Sequence, residues 1–226
     1  MQIPIDLLIH SRRKTVAIII QRDGALTVRA PIRMSDERIR EFVQNHAEWI
    51  RKKQALIKSS PTLLKKQYID GETFLYLGND YPLSIVTHQR LSLTFDGNNF
   101  CLAKSILPKA KQVFIRWYKA QALAMISRRV AFLAVQNNFM YKKIRISSAR
   151  TRWGSCSTNG TLSFTWRLVL APPEVIDYVV IHELVHTHIR NHSPKFWHKV
   201  AEILPAYKKH VAWLKKTGHY LTLGED

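Results

Sequence analysis

Ile181-His182-Glu183-Leu184-Val185-His186, late in a chain of 226 residues, decides how this sequence is read. His182 and His186 are four residues apart, so on a helix they lie one turn apart on the same face. Two imidazoles placed that way can hold one Zn²⁺ at about 2.0–2.1 Å. Glu183 sits beside His182, where its carboxylate reaches a water next to the metal rather than the metal. It can take that water's proton as general base and return it to a leaving group. Val179, Val180, Leu184 and Val185 supply the apolar surroundings of a buried helix. Pro172-Pro173-Glu174 opens that helix where proline is tolerated.

A catalytic zinc needs a third protein ligand. His188 is six residues from His182, about 240° round the helix, and points elsewhere. His192 lies in Asn191-His192-Ser193-Pro194, a turn that can fold a side chain back onto the first two ligands. Its distance from His186 is the metzincin spacing, with Ile189 where those proteases carry glycine. Glu202, on a following helix, is the alternative and would give a gluzincin-like set. His198 and His210 read as surface or neighbouring groups.

Outward from this site the chain reads as α+β. Strand-like stretches at 5–9, 16–20 and 26–30, with an Asp23-Gly24 turn, precede one helix running from Ser35 to Ser59-Ser60-Pro61. Residues 74–77, 81–86, 91–95 and 100–103 read as two meandering hairpins. A long helix after Pro108 carries Val113, Trp117, Ala120, Ala124 and Val135 on its apolar side. A strand at 144–148, a turn at Trp153-Gly154-Ser155-Cys156 and a strand at 161–166 lead to the His-Glu helix and two more helices. The expected division is a β-rich N-terminal part, 1–105, and a helical part with a short sheet, 106–226.

The chain has 35 Lys and Arg against 16 Asp and Glu, a net charge of +19, and no acidic residue lies between Asp96 and Glu174. Such a field attracts phosphates or acidic protein surfaces, and it also serves solubility. No stretch approaches the roughly 18 apolar residues of a membrane span. The start has no basic segment followed by an apolar one, so no cleaved signal peptide is expected. Two cysteines, Cys101 and Cys156, make no disulfide framework, and a cytoplasmic location is expected.

Several motifs together resemble the YgjP-like metallohydrolases, a bacterial family of zinc-dependent proteases related to SprT-like proteins. They are Asp23-Gly24 with Ala30-Pro31, Trp49-Ile50-Arg51-Lys52-Lys53, Tyr76-Leu77-Gly78 with Tyr81, and Arg152-Trp153-Gly154-Ser155-Cys156. Trp166-Arg167-Leu168, Pro172-Pro173, the His-Glu-Leu-Val-His helix and Asn191-His192-Ser193-Pro194-Lys195-Phe196-Trp197 complete the set. The one departure is Thr165, where the pattern has Asn. The resemblance implies His182, His186 and His192 as metal ligands and Glu183 as catalytic base. It also implies a minimal zincin-like domain, a short sheet over the His-Glu helix and the helices after it.

The residues therefore point to a zinc metallopeptidase acting on extended polypeptide. The polar strand with Thr161, Ser163 and Thr165 is expected to be the edge that pairs with substrate by β-augmentation, and Arg152 to bind near the site. Two other functions fit the charge. One is a metal-dependent phosphoanhydride hydrolase for a nucleoside triphosphate, with Arg150, Arg152 and Arg167 on the phosphates. The other is a basic nucleic-acid-binding module with structural zinc.

Overall fold

The computed structural model describes residues 3–21, 24–59 and 65–224. The chain divides into two compact units, Met1–Thr62 and Leu63–Asp226.

The first unit contains β1 (Leu7–Ser11), β2 (Ala17–Ile20), β3 (Leu26–Pro31), α1 (Asp36–Asn45) and α2 (Ala47–Ser59). β3 is the centre of its sheet, parallel to β1 and antiparallel to β2. Its alternating Leu26, Val28 and Ala30 are fully buried and share a core with Ile39, Val43 and Ile50, as a period of two on a half-covered sheet requires. Ser35 caps α1, its Oγ accepting from the Arg38 amide at 3.5 Å. The single helix expected here is broken at His46, whose φ of −104° leaves helical geometry. Asp23 of the expected turn, and Ser60 and Pro61 of the expected helix end, lie outside the described residues.

The second unit opens with β4 (Thr73–Tyr76), β5 (Asn79–Val86), β6 (Leu93–Phe95) and β7 (Phe100–Ala103). The two expected hairpins form, but parallel pairing of β5 with β7 joins them in the order β4-β5-β7-β6 rather than as a meander. A 3-10 turn leads into α3 (Ala110–Gln136). Phe114 of α3 stacks on Phe74 with ring centroids 4.2 Å apart, and the Tyr118 hydroxyl donates to the Leu75 carbonyl at 2.8 Å. This sheet thus shares one core with α3 and the elements after it. For that reason the division falls before the sheet and not near residue 105.

α3 also corrects an expectation about its faces. Its buried side runs through Phe114, Tyr118, Ala122, Ile126 and Val130, whereas Ala120 and Ala124 are exposed and Val135 is 80% exposed. Val113 is buried and Trp117 packs on the core as expected, but the helix is apolar on several sides, so spacing alone does not select the rest of the buried stripe.

The rest of the unit holds β8 (Lys143–Ser147), β9 (Gly154–Cys156) and β10 (Thr161–Thr165). A 3-10 turn (Trp166–Leu170), α4 (Pro173–Val185), α5 (Pro194–Ile203) and α6 (Tyr207–Thr217) follow. The sheet order is β8-β10-β9, with β10 parallel to β8 and antiparallel to β9. Two contacts fix α4 in place. Arg129 of α3 donates from Nε and Nη2 to the Asp177 carboxylate at 2.6 and 2.8 Å. At the start of α4, Pro172 lies against Gly78 in the β4–β5 turn, where a side chain would begin 2.8 Å from the proline ring. Gly78 has φ +84°, so glycine serves both the turn and the close approach. No helix among the described residues is long and apolar enough to cross a membrane.

Candidate metal centre

α4 delivers His182 within its last turn and His186 at its C-terminal cap; the chain then turns, and His192 comes back just before α5. The Nε2 atom of His192 lies 3.0 Å from that of His182 and 3.1 Å from that of His186. Ligand atoms at about 2.0–2.1 Å in a tetrahedral site are separated by about 3.3 Å, so three imidazoles at this spacing fit one small divalent cation. This is the triple of His, Cys, Asp and Glu side chains among the described residues with ligand atoms so grouped. His186 shows its tautomer. Its Nδ1–H donates to the Ile189 carbonyl at 3.0 Å, which leaves the Nε2 lone pair facing the other two rings.

Phe196, fully buried on α5, forms a floor beneath the three rings, with centroid distances of 4.9 Å to His182, 4.5 Å to His186 and 4.8 Å to His192. Trp197 stacks on His192 and is itself stacked on Tyr207. Apolar packing thus orients the rings, and burial with the neighbouring imidazoles pushes the His182 pKa down to about 3. A neutral imidazole is the form that ligates a metal.

Glu183 points from α4 toward β9 and is 5% exposed. A Cβ on Gly154 would sit 2.6 Å from the Glu183 Cγ and Oε1. Only glycine leaves the carboxyl its place. Burial pushes this carboxyl up to about 8, against the lowering pull of the Arg152 charge. Glu183 Oε2 and His182 Nδ1 are buried without a hydrogen-bond partner among the described residues. Glu183 and His182 both face a cavity of about 280 Å³.

The sequence-predicted residues distribute unevenly around this centre. His182, His186 and His192 are brought together, with Glu183 alongside. Glu202 is exposed and paired with Lys199 at 2.8 Å. His188 packs on Phe139 and His210 stacks on Tyr178. Thr161, Ser163 and Thr165 correct the expected edge, because β10 is the central strand with both sides already hydrogen-bonded. The Thr165 hydroxyl, 1% exposed, donates to the Ala149 carbonyl at 2.8 Å. The free edge next to the site is β9, the stretch expected to be a turn. Arg152 is exposed, and its charge reaches Glu183. Arg167 is buried, donates to the Ser148 carbonyl at 3.0 Å and lies over the Trp166 ring, so it holds the fold rather than a phosphate.

Sequence reasoning missed Gly154 as a partner of Glu183, Phe196 as the floor, and Arg190. The Arg190 guanidinium donates to the Ser157 and Thr158 carbonyls at 2.9 and 3.0 Å, tying the loop between α4 and α5 to the β9–β10 turn. It also approaches the Cys156 sulfur at 3.6 Å. Burial pushes that thiol up, with Arg190 opposing and Glu183 reinforcing the rise. The position of Arg190 between His186 and His192 was the available signal.

The family model described as YgjP-like, metallopeptidase domain, matches residues 14–217. No curated protein matches the chain. Among solved structures, the metallopeptidase zymogen abylysin of Pyrococcus abyssi is similar with a TM-score of 0.37 at 20% identity, over 40% of this chain and 93% of its own. The metallopeptidase zymogen jannalysin of Methanocaldococcus jannaschii is similar with a TM-score of 0.34 at 22% identity, over 38% of this chain and 93% of its own.

Proposed function

Because the chain belongs to the YgjP-like family, metallopeptidase domain, we propose that it is a zinc-dependent peptidase of extended polypeptide, with His182, His186 and His192 as the metal ligands and Glu183 as the base. The observation that carries the reading is the convergence of three Nε2 atoms, two of the separations being 3.0 and 3.1 Å, beside a buried carboxyl that opens on a cavity. Zinc bound there supplies a Lewis acid that brings the pKa of water down to about 7 and polarises a carbonyl.

The protein's own residues do the rest. Burial holds the Glu183 carboxyl up at about 8, and the charge of a cation held by the three histidines would favour its ionised form; that carboxylate takes a proton from the attacking water and passes it to the departing nitrogen. Gly154, having no side chain, leaves that carboxyl its position. β9 is paired on one side alone, with β10, so its outer edge can hydrogen-bond an extended substrate main chain. Arg152, exposed on the approach to Glu183, favours acidic substrates.

The test is hydrolysis of denatured casein by the zinc-loaded full chain, with a nucleoside triphosphate assayed in parallel and Glu183→Gln as control. The expected outcome is casein cleavage that Glu183→Gln lowers roughly 10²–10⁴-fold, without triphosphate turnover. Equal activity of wild type and Glu183→Gln contradicts the mechanism, and triphosphate turnover without casein cleavage contradicts the substrate.

A further inference from the structure

The cavity facing Glu183 is larger than proton transfer requires. Its volume is about 280 Å³, and apart from Glu183 and His182 its walls are mostly apolar. Tyr178 lies one turn before His182 on α4. Val211 and Leu214 lie three apart on α6, half-buried, so their side chains are only partly used by the core. Trp153 closes the far side. A side chain on Gly218 would begin 2.7 Å from the Trp153 ring, so the end of α6 sits hard against the indole and holds that wall.

The cavity also has a direction and a charge. His182 and Glu183 line it and His186 and His192 are not among its lining residues, so it adjoins the three rings on the Glu183 side. Lys215 follows Leu214 at its border and is exposed. On the sequence around it, Lys208, Lys209 and Lys216 are basic and no acidic residue lies between Glu202 and Glu225, so Glu183 is the acidic side chain that shares the cavity with Lys215. In peptide hydrolysis the water oxygen adds to the carbonyl carbon and the carbon–nitrogen bond breaks. One water proton travels through Glu183 to the nitrogen, and the other leaves with the new carboxyl group. A side chain lodged against Glu183 therefore belongs to the residue whose nitrogen departs.

We infer that this cavity is a specificity pocket for a large apolar side chain, Leu, Phe or Met, on the residue that supplies the leaving amine, and that Lys215 favours a carboxylate on the residue next to it. The inference rests on the peptidase reading, and it makes the enzyme selective for apolar-acidic pairs. An apolar group that fills such a pocket is worth roughly 10–200-fold in discrimination.

Two readouts test it. The first is calorimetric binding of blocked tetrapeptides, with Leu or Gly at the third position and Glu or Lys at the fourth, to zinc-loaded Glu183→Gln full chain. The second is the N-terminal residue of each casein fragment released by wild type, read by mass spectrometry. The expected result is at least roughly tenfold tighter binding of Leu than Gly, and fragments that begin with Leu, Phe or Met. In the same Glu183→Gln background, Leu214→Trp fills the cavity and abolishes the Leu preference while zinc binding persists. Val211→Ala enlarges it and shifts preference toward Phe. Lys215→Glu reverses the Glu-over-Lys preference. Equal binding of Leu and Gly peptides, or an unchanged Leu preference in both cavity variants, overturns the inference. Casein cleavage with no preference at the new N-terminus also overturns it and leaves the peptidase reading intact. Selective binding with no casein cleavage retains an apolar side-chain pocket but overturns the peptidase reading and, with it, the assignment of the pocket to a leaving-amine residue.

Discussion

The sheet β4-β5-β7-β6 and the sheet β8-β10-β9 belong to the same unit, and each combines parallel with antiparallel pairing. The first is backed by rings: Phe74, Phe100 and Phe114 are fully buried, with centroids 4.2 to 6.2 Å apart. The second borders two buried polar atoms without partners, on Glu183 and His182. Apolar packing of the first kind stabilises. Unpartnered carboxyl and imidazole atoms of the second kind destabilise and persist where a ligand or a reaction uses them. Stability and chemistry are thus held in different halves of one core, and substitutions should separate them.

The largest effect belongs to the aromatic half. Phe100→Ala should lower the free energy of unfolding by about 3–5 kcal/mol, measured by urea denaturation, while the folded protein keeps its zinc stoichiometry. A loss of zinc without loss of stability would break the comparison. In the other half, Gly154→Ala introduces a Cβ 2.6 Å from the Glu183 side chain. It should lower casein hydrolysis roughly 10²-fold and leave zinc binding unchanged. Unchanged hydrolysis would show that the position of Glu183 is not set by β9.

How far these two halves could be read from residues follows the range of the interactions involved. The His-Glu helix, its proline start and the returning His192 are local, and spacing carries them. The aromatic strands and their turns are local too. The pairing partners of β10 are not. Thr161, Ser163 and Thr165 look like the polar face of an exposed edge, but the order β8-β10-β9 requires a parallel crossover that no spacing reveals. Thr165 spends its hydroxyl on the Ala149 carbonyl. The division of the chain was misplaced for a similar reason. The turn chemistry of residues 74–103 marks a β region, yet Phe74 and Phe100 are completed by Phe114 of the following helix. The fit of Glu183 against Gly154 is a contact between residues 29 positions apart, and it becomes visible once the sheet is built.

A smaller effect sharpens the boundary between the halves. Arg129 and Asp177 are about a quarter to a third exposed and meet through two hydrogen bonds. Asp177→Asn should cost about 1 kcal/mol, less at high salt, with zinc affinity unaltered. A cost several times larger would mean that the anchoring of α4 belongs to the stabilising core.

Equilibrium zinc titration of the full chain and of His192→Ala reads out whether the three imidazoles hold one metal ion. Wild type should bind one equivalent, and His192→Ala should lose at least roughly a hundredfold in affinity while keeping its fold by circular dichroism. Binding of zinc by His192→Ala with wild-type affinity would contradict the account.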